Sequence, residues 1–138
     1  MNVFMAFPKG VGDDGAVENK IAQLFQNAEI PAKLKHSKDD FQERFYAAGS
    51  WNEWTTEVAT GVDYSTREQR YDVIVCVPYP DTKCCVGKAS ADIAKKALFA
   101  GKRVYCFDHD KFHPVNAVQA VDSENWQAGW QLILKEVA

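Results

Sequence analysis

The stretch Tyr71-Asp72-Val73-Ile74-Val75-Cys76-Val77 decides the fold class. Its unbroken apolar run from Val73 onward is the mark of a strand covered on both faces, as in a parallel sheet. Downstream, a polar loop over 78–88 leads into an Ala-rich helix, Ala89 to Ala100, closed by Gly101. A second strand follows over Arg103–Phe107, and a weaker one with partial alternation over Val115–Val121. Asp122 or Ser123 then caps a final helix, with Trp126, Trp130, Ile133 and Val137 as its apolar stripe and Gly129 weakening its middle.

Upstream, Asn2–Phe7 is another continuous apolar strand, followed by the loop Pro8–Gly15. Val17, Ile21, Leu24, Phe25 and Ala28 then fall on one helical stripe, and Pro31 ends that segment. Ala32–His36 reads as a short strand, and Ser37 as the cap of a helix carrying Phe41 and Phe45 and ended by Gly49. Ser50-Trp51-Asn52-Glu53 is a capping box opening a helix to about Thr60, with Gly61 as its stop. Ser65-Thr66-Arg67-Glu68 repeats the pattern before a short helical turn. Strands alternating with helices predict an α/β domain spanning residues 1–138. The expected architecture is a small doubly wound, Rossmann-like or flavodoxin-like, mainly parallel sheet of four to five strands with helices on both faces.

Composition agrees. The chain has 138 residues, 16 basic and 19 acidic, giving a net charge of −3, with 46% hydrophobic residues. That balance excludes a disordered chain and a general nucleic-acid binder. With no signal-like leader and no apolar run of membrane length, a cytoplasmic protein that does not engage membranes is expected. Cys76 and Cys106 lie in strand-like runs, and Cys84-Cys85 fits neither a Cys-x-x-Cys redox motif nor a zinc knuckle. The four thiols are expected to be reduced.

In sheets of this kind ligands bind beyond the carboxyl ends of the strands, which singles out the loops Pro8–Gly15, Pro78–Lys88 and Asp108–Pro114. The first holds Lys9 and a literal G-x-G-x-x-G at Gly10, Gly12 and Gly15, whose amides can cradle a phosphate at a helix N-terminus. Pro8 and Lys9 lengthen the turn, however, and Asp13 and Asp14 put negative charge where a pyrophosphate would lie. A Gly-rich turn with dipole-favoured carboxylates is the competing reading. Over residues 79–108 six basic residues meet three acidic ones, while the rest of the chain is net acidic. In that segment Lys83, Lys88 and the amides near Ser90 are candidates to hold a phosphate or other anion, and Tyr79, Asp81 and Gly87 are candidate ligand contacts. The competing reading is a solvated loop with ordinary surface lysines. Phe7 and Tyr79, at strand ends, are placed to stack on a flat ligand, and one or two of Tyr46, Trp51, Trp54 and Tyr64 can do the same, although aromatics at helical spacing are usually core.

Two carboxylates are candidates for acid–base or nucleophilic work. Asp92 lies in the first turn of the helix after the basic loop, where stabilising the dipole is its simpler role. Glu57, four residues from Glu53, can form a carboxylate pair of the glycosidase kind. His109 and His113 lack a helix to hold them on one face, so no metal site is expected, and nothing points to a cofactor. His36 stands alone.

The Ala6-Phe7-Pro8 end of the first strand, the Tyr71–Val77 strand, and the helix Asp92-Ile93-Ala94 to Ala97 running into Ala100-Gly101-Lys102-Arg103-Val104 together resemble the nucleoside 2-deoxyribosyltransferase-like group of small Rossmann-like proteins. That family carries a nucleophilic Glu in this helix after a Gly-Thr pair. Here the position falls at Ile93 and no Gly-Thr is present. The resemblance implies a nucleoside- or nucleotide-shaped ligand, with Asp92 or Glu57 as the available carboxylate for cleavage or transfer at an N-glycosidic bond. The alternative is a noncatalytic sequestering, sensor or protein-interaction domain on the same fold. Exposed aromatics and an open sheet edge also permit a homodimer.

Overall fold

The computed structural model describes residues 1–8, 15–60, 70–122 and 128–136. In chain order the elements are β1 (Asn2–Ala6), α1 (Ala16–Asn27), β2 (Lys33–His36), α2 (Ser37–Ala48), α3 (Trp51–Thr60), β3 (Val73–Cys76), β4 (Cys85–Val86), α4 (Lys88–Phe99), β5 (Arg103–Asp108), β6 (Lys111–Ala120) and β7 (Trp130–Leu134). They build a mixed α/β structure around a seven-stranded sheet of order β2-β1-β3-β5-β6-β7-β4. The first four strands in that order are mutually parallel, and β6, β7 and β4 continue the sheet with antiparallel pairings.

The apolar runs of β1 and β3 split by parity because successive side chains of a strand point to opposite faces. Val3, Met5, Phe7, Val73, Val75 and Val77 meet Ile21 and Phe25 of α1 on one face. Phe4, Ala6, Ile74 and Cys76 meet Trp54 and Val58 of α3 and Ile93, Ala94 and Ala97 of α4 on the other. Double-sided cover explains why these strands are unbroken apolar runs. Lys96 ties α4 to α3, donating to Asn52 Oδ1 and Thr55 Oγ1, each at 2.8 Å.

The C-terminal third departs from expectation. Seven strands replace the expected four to five, and the sheet is mixed, because the chain after β5 turns back instead of crossing over. The expected loop Asp108–Pro114 is a tight hairpin. Asp108 pairs with Lys111, and the two residues between them, His109 and Asp110, both have positive φ (51° and 58°). That is the backbone of a primed two-residue turn. The strand expected from Val115 therefore begins at Lys111. The expected final helix is β7 over Trp130–Leu134, with Trp130, Leu132 and Leu134 packed on the α3/α4 face. The loop after β3 contains the short β4, which joins the sheet through β7.

Two caps also shift. His36, not Ser37, is the N-cap of α2, its side chain accepting the Lys38 amide. Helix α4 starts at Lys88 with Gly87 as N-cap, so Asp92 lies past the first turn, beyond the strongest reach of the dipole. In α3 the expected cap is present, with the Glu53 N–H donating to Ser50 Oγ at 3.2 Å. The repeated capping pattern at 65–68, the stop at Gly61 and the cap expected at Ser123 fall outside the described residues, as does Trp126. No helix among the described residues is long and apolar enough to cross a membrane.

Candidate functional site

The carboxyl ends of β1 and β2 are locked together by polar and aromatic contacts. β2 passes into α2 without a connecting loop, His36 being the last strand residue and Ser37 the first helical one. Ser37 Oγ accepts the Phe7 N–H at 3.0 Å, bridging the two strand ends. The His36 ring stacks on Phe7, with centroids 4.2 Å apart and planes 6° from parallel. Because His36 Nδ1 accepts the Lys38 N–H at 3.0 Å, the neutral ring carries its proton on Nε2.

A cavity of about 600 Å³ opens above these ends, on a floor of Ala6, Phe7 and Pro8. His36, Ser37 and Lys38 form one side, and the first turns of α4, through Ala89, Ser90 and Ile93, form another. Phe41 from α2 and Trp51 and Trp54 from α3 complete the wall. Their rings are mutually packed: Phe41 meets Trp54 edge-on, with centroids 5.2 Å apart and planes at 89°, and Trp51 lies 5.6 Å from Trp54. The volume lies in the range of small-molecule sites, and the lining of rigid apolar faces with a few polar groups is their usual chemistry. Gly87 gives α4 no side-chain cap. The amide-rich, positive end of the helix dipole thus contributes to the cavity wall.

Behind the aromatic wall is a buried polar cluster. Asp40 of α2 is fully buried and accepts hydrogen bonds from Trp54 Nε1 at 2.9 Å, from Arg70 and from the Tyr71 hydroxyl. Burial and the Asp40 carboxylate beside it push the Tyr71 phenol above its ordinary range. Glu57, also buried, lies 3.7 Å from Arg70 and 3.8 Å from Arg44. The cluster clamps α2, α3 and the entry to β3, and the Asp40 bond sets the indole of Trp54, which faces the cavity.

Of the residues the sequence singled out, Phe7 and Ser90 line this cavity. Lys9, Gly10 and Gly12 lie outside the described residues. Tyr79, Asp81, Lys83, Gly87 and Lys88 belong to a separately bonded turn and the start of α4. In that turn the Tyr79 N–H donates to Cys85 O, Thr82 Oγ1 donates to Tyr79 O, and Lys83 O accepts from Gln131 of β7. Burial raises the Tyr79 phenol. Asp92 is half-buried on α4 and Glu57 sits among the arginines of the polar cluster, and neither lines the cavity. Trp51 and Trp54 are in the wall, and it also includes His36, Ser37, Lys38 and Phe41, which no sequence motif marks as site residues. A strand ending directly in a helix offers no loop to flag. The i, i+4 spacing of Phe41 and Phe45 marks only a helix face.

Among the described residues no group of His, Cys, Asp or Glu is arranged to hold a metal ion. Comparison with protein-family models, with curated proteins and with solved structures finds no match to this chain.

Proposed function

We propose that the chain binds a nucleoside or nucleotide in the cavity at the β1 and β2 carboxyl ends, holding it without turning it over. The observation that carries this reading is the pairing of flat aromatic walls with a helix amino end in one cavity of fitting size. A base slots against Trp51, Trp54 and Phe41, where π-stacking is tolerant of base identity. Ser37, Lys38 and the first amides of α4 receive the sugar hydroxyls or a phosphate. The parallel order β2-β1-β3-β5, with helices on both faces, supports a Rossmann-like or flavodoxin-like core. In such a core the reversal of strand order between β1 and β3 falls beside the cavity.

Cleavage or transfer at an N-glycosidic bond, the activity that the resemblance implies, is the second reading. It requires a carboxylate at the sugar, and the described lining includes neither Asp92 nor Glu57. Binding alone is therefore the better-supported function. The test is a thermal-shift and tryptophan-fluorescence screen against nucleosides, mono- and dinucleotides and simple phosphates. A ligand of the folded state raises the melting temperature by mass action. The expected result is a shift with one nucleotide class, weakened by Trp51→Ala, with no product released on long incubation. No shift across the panel, or one indifferent to Trp51→Ala, overturns the proposal. Released free base establishes the second reading instead.

A further inference from the structure

Away from the cavity, the fold brings three cysteines together that are scattered in the sequence. Cys76 of β3 and Cys106 of β5 are partners in the parallel ladder. Cys84, in the turn before β4, lies over Cys106 with the two sulfurs 3.0 Å apart. All three are buried. We propose that Cys84 and Cys106 are an oxidisable pair, which a peroxide closes into a reversible intramolecular disulfide.

Three observations carry the assignment. First, closing the bond from 3.0 Å to the roughly 2.0 Å of a disulfide asks only for a small approach of two side chains. Second, both backbones are fixed. Cys106 sits inside the sheet, and the Cys84 carbonyl accepts the Leu132 N–H of β7 at 2.9 Å. Third, Cys84 holds a φ of +53°, a left-handed conformation uncommon outside Gly, Asn and Asp, in the residue whose sulfur meets Cys106. The neighbouring Cys85 has a different environment: it is half-exposed, its sulfur 3.7 Å from Lys83 O.

The pair is also chemically asymmetric. The Cys106 S–H donates to the Cys84 sulfur, which draws the Cys84 thiol below its ordinary range against the opposing effects of burial and Asp108. The same bond, with burial, pushes Cys106 up. Cys84, in the turn before β4 and 5% exposed, is also the sulfur that peroxide reaches first, whereas Cys106 has no exposed surface, so Cys84 attacks as the thiolate and Cys106 resolves. The Cys84 thiolate attacks one oxygen of hydrogen peroxide. The O–O bond breaks, Cys84 becomes a sulfenic acid, and the hydroxide that leaves is neutralised to water by the proton the Cys84 thiol gave up on ionising. The Cys106 sulfur then attacks the Cys84 sulfur. The S–S bond forms as the S–O bond breaks, and the departing hydroxide takes the Cys106 proton. One peroxide and two thiols give one disulfide and two waters.

The test uses the full chain. Protein treated with dilute hydrogen peroxide is denatured, alkylated with N-ethylmaleimide and mapped by mass spectrometry, beside an untreated sample. The expected result is loss of two hydrogens, alkylation at Cys76 and Cys85 alone, and a Cys84–Cys106 linked peptide that dithiothreitol releases. The oxidised protein should also melt several degrees higher, because the linkage constrains the unfolded chain. Cys85→Ser should retain the linkage. Cys106→Ser, checked for folding by circular dichroism, should accumulate a Cys84 sulfenic acid that dimedone traps. Four alkylated thiols after peroxide, a linkage through Cys85, or over-oxidation of wild-type Cys84 without a disulfide each overturn the proposal. The wild-type map decides the matter even where a variant fails to fold.

Discussion

Replacing Asp40 with Ala tests whether the buried polar cluster is a coupled clamp holding α2, α3 and the entry to β3. Asp40 has no exposed surface, and Arg70 has only 14% of its side chain exposed. Truncation removes the acceptor of the Trp54 N–H and the Tyr71 O–H and leaves the Arg70 guanidinium without its carboxylate. Breaking a buried ion pair from one side costs about 3–5 kcal/mol, and an orphaned donor adds roughly 1–3 kcal/mol where it finds no water. Glu57, 3.7 Å from Arg70, retains part of the compensation for the charge. A loss of about 4 kcal/mol is therefore expected, a large share of the ~5–15 kcal/mol that holds a domain folded. With a urea slope of about 2 kcal/mol/M, the unfolding midpoint should drop by about 2 M. Repeating the substitution in an Arg70→Met background should cost clearly less, since the stranded charge is then gone. A midpoint shift under about 0.5 M, or strict additivity of Asp40→Ala and Arg70→Met, would refute the reasoning, since it denies that the buried charges are coupled.

Three further outcomes follow from the same geometry. Trp51 is 41% exposed, so Trp51→Ala should lower the urea midpoint less than Asp40→Ala does while weakening ligand binding by the ~1–3 kcal/mol of a base–aromatic stack, read by titration calorimetry. Cys76, pushed up to about 12 by burial and next by the neighbouring Cys84, keeps its proton in the folded state at pH values where the unfolded chain has lost it. Its contribution is then complete below pH 9 and is lost as pH rises from 9 towards 12, so Cys76→Ala should flatten that alkaline limb in urea midpoints measured across it; an unchanged slope counts against the assignment. Gly49 ends α2 with φ +101°, and a Cβ there would meet Glu53 Oε2 at 2.8 Å. Gly49→Ala should cost about 1–2 kcal/mol by urea denaturation, mostly from the left-handed backbone, because the Glu53 carboxylate can swing aside.

The parallel half of the sheet was legible because burial on both faces leaves an unmistakable run of apolar residues, as in Val73–Val77 and Val3–Phe7. The antiparallel half was not, because its signals compete. Trp130, Ile133 and Val137 fit a helical stripe, yet Trp130, Leu132 and Leu134 fit period 2, and in a window this short pairing with β6 decides between them. The alternation of β6 is itself broken. A register shift between Val115 and Ala117 puts Val115 and Val118 on the same packed face, so the true strand reads as irregular. The hairpin at His109-Asp110 lacks the Gly that usually marks a primed turn.

The candidate site was half legible for a related reason. The rule that ligands gather at strand carboxyl ends points to loops, and it located Phe7 and Ser90. At β2 there is no loop, because His36 closes the strand and caps α2 in a single residue. This economy gives the site its rigidity. Ser37 holds the β1 end through the Phe7 amide, His36 covers Phe7, and the same helix carries Asp40, which orients Trp54 from behind. One twelve-residue helix thus fixes the floor through its first turn and the wall through its second. No short motif records such a site, because His36, Ser37, Asp40 and Phe41 act through partners that are distant in sequence. A change at Asp40, which does not touch the cavity, should therefore move ligand affinity through its effect on stability, whereas a change at Trp51 should move affinity out of proportion to its smaller loss of stability.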